Sequence, residues 1–226
     1  MIRIVTRLML DAAIVALALF ISAGTIAWWR AWVLLAVLLV VRIVGAYVVY
    51  SINPGLLRER AAFPIHRDQP PTDRLLLLAV LAIGFLGLPI IAGLDVFRWD
   101  VLPPPGNLLS TIGILLFTLG WCLKSLALRA NAFATGAVRL QTEHVHAVAD
   151  SGVYRVVRHP FYAADPLIFV GLALWLESSL AALCALVPIA LVVLRLQHEE
   201  RFLRRELPGY DEYIVRVPHR LIPGVW

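Results

Sequence analysis

The chain has 226 residues, of which 61% are hydrophobic and only 15% are charged. A soluble domain usually has about a quarter charged residues, so this composition excludes an ordinary soluble fold and indicates a polytopic membrane protein. The net charge of +5 does not indicate nucleic-acid binding, because basic residues of membrane proteins cluster in cytoplasmic loops. We expect no nucleic-acid partner.

Six apolar segments predict helices that cross a membrane, since a crossing helix needs about twenty mostly apolar residues. The first two are separated by Arg30 and form a predicted helical hairpin. Lys124 lies near the end of the fourth segment, where we expect its side chain to extend toward the interface. The fifth contains Asp165 and Pro166 and begins with polar residues. We therefore expect an all-α polytopic membrane helix bundle with five to six spans, from the segments 12–28, 31–50, 75–94, 108–128, 161–176 and 178–194.

The arginines are distributed unevenly between the two sides of this predicted bundle. The N-terminal tail, the second loop, the fourth loop and the C-terminal tail together carry sixteen arginines, whereas the opposite side carries Arg30 and Arg98. Because positively charged loops remain in the cytoplasm, both termini are expected to be cytoplasmic. The N-terminal segment has no small-residue cleavage signal, which favours a retained first span over a removed signal peptide.

Two polar clusters flank the last pair of apolar segments. The first is the string G-V-Y-R-V-V-R-H-P-F-Y at 152–162, and the second is R-L-Q-H-E-E at 195–200. Ionisable groups beside a membrane domain are costly unless they are used, so these clusters predict the functional site. Arg195 and Glu199 are four residues apart and are expected on one face of a helix.

Several histidines lie in this part of the chain and make a metal site one possible interpretation. Only His144 and His146 are close together, and His159 precedes a proline, which favours extended backbone over a helical face. We therefore expect no metal.

A cofactor site suits the two polar clusters better than a metal site does. Arg158 and His159 can donate to a carboxylate, and Glu199 or Glu200 can accept from an ammonium group. The remaining candidates, Tyr154 and Tyr162, offer flat rings and hydroxyl groups.

The string G-V-Y-x-x-x-R-H-P-x-Y, followed by a hydrophobic hairpin, E-E-x-x-L and G-Y-x-x-Y, resembles the isoprenylcysteine carboxyl methyltransferase family of membrane methyltransferases. N-P-G-L-L-x-x-R after the second span and R-L-I-P-G-V-W at the end are similar to the bacterial branch of that family. The resemblance covers the chain from Asn53 to Trp226 and is most specific in the last hundred residues.

This resemblance implies S-adenosylmethionine as the cofactor, held in a cytoplasmic pocket that the C-terminal third of the chain forms. Glu199 would bind the ammonium group of the cofactor, and Arg195 matches the position of the substrate-side arginine of the family. We assign catalytic roles to Arg195 and Glu199. We include Arg158 as well, because its guanidinium group can donate hydrogen bonds to a carboxylate. The expected cofactor-binding residues are Gln141, His146, Ala147, Val148, Ala149, Tyr154, Arg158, His159, Pro160, Phe161, Tyr162 and Glu199.

The expected activity is methyl transfer to a lipophilic acceptor, which by resemblance is the carboxylate of an isoprenylcysteine-like substrate. A phospholipid amine or a small thiol is an alternative acceptor, and would require Glu199, His159 or His198 to remove a proton. A nicotinamide-dependent membrane reductase and a catalytically silent scaffold are further alternatives. The expected partners are membrane lipid and the acceptor, and the resemblance implies the inner membrane of a bacterium.

The chain is expected to form a single membrane domain with three parts. Residues 1–50 form the N-terminal hairpin, residues 51–128 form core spans, and residues 129–226 form the cofactor-binding and catalytic part.

Overall fold

A computed structural model describes residues 2–52, 54–60, 70–131 and 148–226. Within these ranges the chain forms helices and no strand, which confirms the all-α fold class. A short 3₁₀ turn lies at Gly152–Arg155. In chain order the helices are α1 (Ile2–Ala23), α2 (Trp29–Tyr50), α3 (Pro54–Arg60), α4 (Pro71–Trp99), α5 (Gly106–Ala130), α6 (Pro160–Trp175), α7 (Ser179–Glu206) and α8 (Tyr210–Arg216).

Five of the described helices, α1, α2, α4, α5 and α7, are long and apolar enough to cross a membrane. The chain is therefore an integral membrane protein. α6 has 16 residues, and a helix of that length is about 24 Å long, somewhat shorter than the hydrocarbon core. The expected five to six spans thus correspond to five long helices and one shorter helix.

Two of the long helices depart from regular α-helical geometry. α4 contains wider π-helical turns at Leu81–Gly87 and Asp95–Trp99. α7 is interrupted at Ala185, between Ser179–Cys184 and Leu186–Glu206. Pro188 explains the interruption, because it has no N–H to donate to the carbonyl group of the residue four positions earlier.

The three turns that join α1 to α2, α4 to α5 and α6 to α7 meet at one end of the bundle, which we call the turn end. The Glu177 carboxylate accepts hydrogen bonds from Arg30 at 2.7 Å and from Ser110 at 3.3 Å. The Ser178 hydroxyl donates to Asp95 Oδ2 at 2.6 Å. Despite its length, α6 therefore reaches the same end as the long helices, and six segments run between the two ends.

α5 and α6 pack together through glycines. A Cβ atom at Gly171 would lie 2.5 Å from the backbone nitrogen of Phe117 and 2.7 Å from the carbonyl oxygen of Gly113. At Gly120 it would lie 2.9 Å from the Ala164 carbonyl oxygen. Small residues allow backbones to approach closely in lipid, where no hydrophobic effect drives helices together. This contact fixes the start of α6, which carries part of the site described below.

We expect Gly171→Ala to lower the free energy of unfolding in detergent by about 1–3 kcal/mol, since the new methyl group forces the two backbones apart. Gly87→Ala is the matched control, because its Cβ would meet only the Ala82 carbonyl oxygen at an ordinary 3.4 Å. Equal effects of the two substitutions on unfolding would contradict the close packing of α5 and α6.

Candidate active site

A cavity of about 540 Å³ lies between the helices and reaches the 3₁₀ turn and α8. At the end opposite the turn end, which we call the site end, its lining includes Tyr154, His159 and Glu199. Toward the turn end its lining is mostly apolar and includes Leu34 and Leu172. The cavity therefore joins a polar region to an apolar region.

Tyr162 links the two residues of α7 that we assigned to catalysis. Its hydroxyl group donates to the Glu199 carboxylate, and the guanidinium carbon of Arg195 lies 5.6 Å from the centre of its ring. All three residues line the cavity. The carboxylate that binds Arg195 is Asp73 of α4, with Nε at 2.7 Å from Oδ1. Arg195 and Glu199 thus contact one tyrosine but have different hydrogen-bond partners.

Glu200 joins α7 to the C-terminal segment. Its Oε1 accepts from Arg158 Nε at 2.8 Å and Nη2 at 2.7 Å, and its Oε2 accepts from Arg220 Nε at 2.6 Å. The third nitrogen of Arg158, Nη1, donates to the Val217 carbonyl oxygen at 2.7 Å. Of these residues, Arg158 also lines the cavity.

His159 lies directly before α6 and is buried. Its backbone N–H donates to the Arg220 carbonyl oxygen at 3.0 Å, and its Nε2 lies 3.3 Å from the Tyr210 hydroxyl and 3.8 Å from Glu200 Oε1. Burial, helped by the negative charges of Glu200 and Glu199, raises the pKa of Tyr210. The Tyr210 hydroxyl therefore stays protonated and can donate to the imidazole.

The structure brings most of the predicted cofactor-binding residues to one cavity. Pro160 is buried as the first residue of α6 but does not line the cavity. Gln141, His146 and Ala147 lie outside the described residues. The predicted residues that line it are Val148, Ala149, Tyr154, Arg158, His159, Phe161, Tyr162, Arg195 and Glu199.

Lys124 corrects one expectation from the sequence. It does not extend to the interface but is buried, with Nζ 2.7 Å from Asp165 Oδ1 of α6 and 3.9 Å from the ring centre of Phe161. All three residues line the cavity. An unpaired charge is energetically unfavourable in hydrocarbon. Each of these two side chains therefore stabilises the charged form of the other. Their presence in two neighbouring apolar segments was the signal available in the sequence.

Asp73 is a second residue that sequence reasoning missed. It lies 122 positions before Arg195, and nothing in its local sequence indicates that partner. Among the described residues, no group of three His, Cys, Asp or Glu side chains could hold a metal ion.

The sequence profile described as phospholipid methyltransferase matches residues 108–208. Protein-S-isoprenylcysteine O-methyltransferase B of Arabidopsis thaliana is 29% identical over 113 residues, 49% of this chain and 57% of the relative. A probable protein-S-isoprenylcysteine O-methyltransferase of Oryza sativa subsp. indica is 30% identical over 119 residues, 51% of this chain and 62% of the relative. The cobalt-zinc-cadmium resistance protein CzcN of Cupriavidus metallidurans is 29% identical over 126 residues, 54% of this chain and 52% of the relative.

The chain spans little more than half the length of these curated relatives. The segment that matches the family profile contains most of α5 and all of α6 and α7, and with them both polar clusters of the cavity. Through this segment the chain is similar to phospholipid methyltransferases and to protein-S-isoprenylcysteine O-methyltransferases.

Proposed function

We propose that this protein is an S-adenosylmethionine-dependent methyltransferase that transfers a methyl group to a lipophilic acceptor within the membrane. The observation that carries the proposal is the cavity, whose polar region offers the Glu199 carboxylate and the Arg158 guanidinium group and whose apolar region lies among the helices. A zwitterionic amino-acid group requires the first region, and a lipid chain requires the second.

Glu199 supports binding of the cofactor ammonium group. In the described part of the chain its hydrogen bond to Tyr162 uses Oε2, so Oε1 can accept from a ligand. Arg195, one turn earlier in α7, is hydrogen-bonded to Asp73, and this carboxylate offsets the positive charge of Arg195. A cavity-lining carboxylate in this setting favours a cationic ligand group, because charge-assisted hydrogen bonds are strong away from water.

The cofactor also carries a carboxylate. Its negative charge suits the side of the polar region that contains Arg158. Arg158 lines the cavity and shares the Glu200 carboxylate with Arg220, so its positive charge is only partly offset. His159 and Tyr210 add polar hydrogen atoms beside that charge. The residues present therefore fit an amino-acid group of both signs.

When bound, S-adenosylmethionine supplies an electrophilic methyl group on a sulfonium. The protein has to align the acceptor with that group and exclude water, and both tasks fall to the buried side chains around Tyr162. Arg195 is proposed to orient the acceptor carboxylate, which needs no base before it reacts. A phospholipid amine, which the name of the family profile favours as an alternative acceptor, would first have to lose a proton, with Glu199 and His159 as the nearest acceptors.

We also propose that the site end faces the cytoplasm of a bacterial cell, where the cofactor is dissolved. The turn end carries Arg30 and Arg98, whereas the other arginines of the described ranges lie toward the site end or in the segments on that side. This distribution agrees with the positive-inside rule. In the proposed division of the single domain, Asp73 from the core spans joins residues 129–226 in forming the site.

Calorimetric titration of the detergent-purified protein with S-adenosylmethionine tests the proposal. We expect binding, and we expect Glu199→Gln to weaken it about 10-fold or more because one charge-assisted hydrogen bond is lost. Glu206→Gln, at the exposed end of the same helix, is the control and should bind as the wild type does. Absence of binding to the wild type, or equal binding to Glu199→Gln, would contradict the proposed cofactor site.

A further inference from the structure

A second group of charged residues lines the cavity where α1 packs against α2. Asp11 lies between two arginines, with Oδ1 2.9 Å from Arg7 Nε and Oδ2 2.7 Å from Arg42 Nη2. The guanidinium carbon of Arg42 also lies 5.1 Å from the ring centre of Trp121 on α5. All four residues line the cavity. We call Arg7, Asp11 and Arg42 the α1–α2 cluster.

The charge of the α1–α2 cluster is not balanced by its own members. Each oxygen of the Asp11 carboxylate serves one guanidinium group, so the two arginines leave one positive charge. A guanidinium group has five N–H donors, and the ion pair with Asp11 uses one nitrogen of each arginine. Within the described part of the chain, donors and charge therefore remain available to an anion in the cavity.

The depth of the cluster makes this surplus charge costly. Asp11 lies nine residues into α1, and Arg42 lies eight residues before the end of α2. At 1.5 Å per residue each is about 12–14 Å from the helix end, within a helix that is long and apolar enough to cross a membrane. Charged groups at such a depth are rare and usually serve a pathway or a ligand.

Exposure of the side chains shows where the cavity opens. Arg7 is 31% exposed, Asp11 24% and Arg42 19%, whereas Lys124 and Asp165 farther inside are 8% and 5% exposed. Exposure thus falls from the outer face of α1 and α2 toward the centre of the bundle. The cluster is therefore accessible from the outer face of α1 and α2.

The cavity wall beyond the cluster is apolar. Toward the turn end, α1 contributes Ile14 and Val15, and α2 contributes Leu34 and Leu38. An anion bound at Arg42 would therefore have a hydrocarbon-lined space beside it. Only a molecule with an anionic group and an apolar chain matches both parts.

We propose that the α1–α2 cluster is a binding site for the anionic group of a membrane amphiphile whose chain lies along α1 and α2 in the cavity. The site discriminates by charge: a headgroup with a net negative charge satisfies the arginines, whereas a zwitterionic headgroup brings a positive charge of its own. Identification of this amphiphile as the methyl acceptor rests on the proposed function.

Thermal unfolding of the full chain in detergent, titrated with two lysophospholipids of equal acyl chain, tests the site. We expect lysophosphatidylglycerol to bind about tenfold more tightly than lysophosphatidylcholine, a difference typical of one added ion pair. Arg42→Gln should reduce this preference to about one. Arg98→Gln, exposed at the turn end, is the control and should keep it.

Two further variants keep the test decisive if Arg42→Gln does not fold. Arg7→Gln, at the more exposed arginine, should also reduce the preference, whereas Asp11→Asn should increase it because the surplus charge grows. Equal binding of the two lipids to the wild type, or a preference that survives both arginine substitutions, overturns the proposal. So does equally tight binding of glycerol 3-phosphate, which would make the site one for free anions.

The lipid titration and the cofactor titration test different proposals, so either proposal can be contradicted while the other is kept. Lipid preference without binding of S-adenosylmethionine would keep the anionic site and remove the proposed function. Binding of the cofactor without lipid preference would keep the function and remove the anionic site.

Discussion

Asp73→Asn is expected to destabilise the bundle by about 3–5 kcal/mol, because it removes the carboxylate charge that pairs with the buried Arg195 guanidinium group. Asp73 is 3% exposed and Arg195 is 8% exposed, so water cannot take over the lost interaction. Equilibrium unfolding in mixed detergent micelles measures the loss. Asp100→Asn, at an exposed position with a left-handed backbone that asparagine tolerates, is the control and should be neutral.

Removal of both charges distinguishes the contribution of the Asp73–Arg195 pair to stability from the contribution of Arg195 to turnover. The double variant Asp73→Leu/Arg195→Met should recover much of the lost stability, since apolar residues of similar size replace buried ion pairs without a large penalty. It should still lose turnover with an S-prenylated cysteine as acceptor, because Arg195 is the group proposed to orient the carboxylate. A double variant as unstable as Asp73→Asn, or one with full turnover, would contradict this account of Arg195.

Local sequence patterns predicted the helices well but not all of their ends. The first apolar segment begins at residue 12, yet α1 begins at Ile2. Arg7 and Asp11 form an i,i+4 ion pair, so polar residues that seemed to precede the span remain within the helix. α1 then ends at Ala23, before Gly24, whose φ of +73° suits a left-handed residue after a helix.

The two polar clusters were found from the sequence because each is a short string of residues beside a membrane segment. Their partners were not, since pairing depends on which helices pack together. Arg195 contacts Asp73 because α4 packs on α7, and Lys124 contacts Asp165 because glycines bring α5 close to α6. Arg42 is a single charge inside an otherwise apolar segment, a pattern that indicates a partner but does not identify it.

Lys124→Met is expected to lower the free energy of unfolding by about 3–5 kcal/mol, because it leaves the Asp165 carboxylate among apolar side chains without its ammonium partner. Arg129→Gln is the control on the same helix, since Arg129 is exposed near the end of α5 and should tolerate the change within about 0.5 kcal/mol. Unfolding of both variants in the same detergent gives the comparison.

A double-mutant cycle then distinguishes a structural ion pair from one needed by the cavity. Lys124→Met/Asp165→Leu should regain most of the stability, because no lone charge remains. Lys124 Nζ also lies 3.9 Å from the ring centre of Phe161, which lines the polar region next to Tyr162. If the pair holds that ring in place, the stable double variant should still bind S-adenosylmethionine more weakly than the wild type. Wild-type affinity in the double variant would limit Lys124 and Asp165 to joining α5 and α6, whereas weaker binding would extend the site to this buried pair.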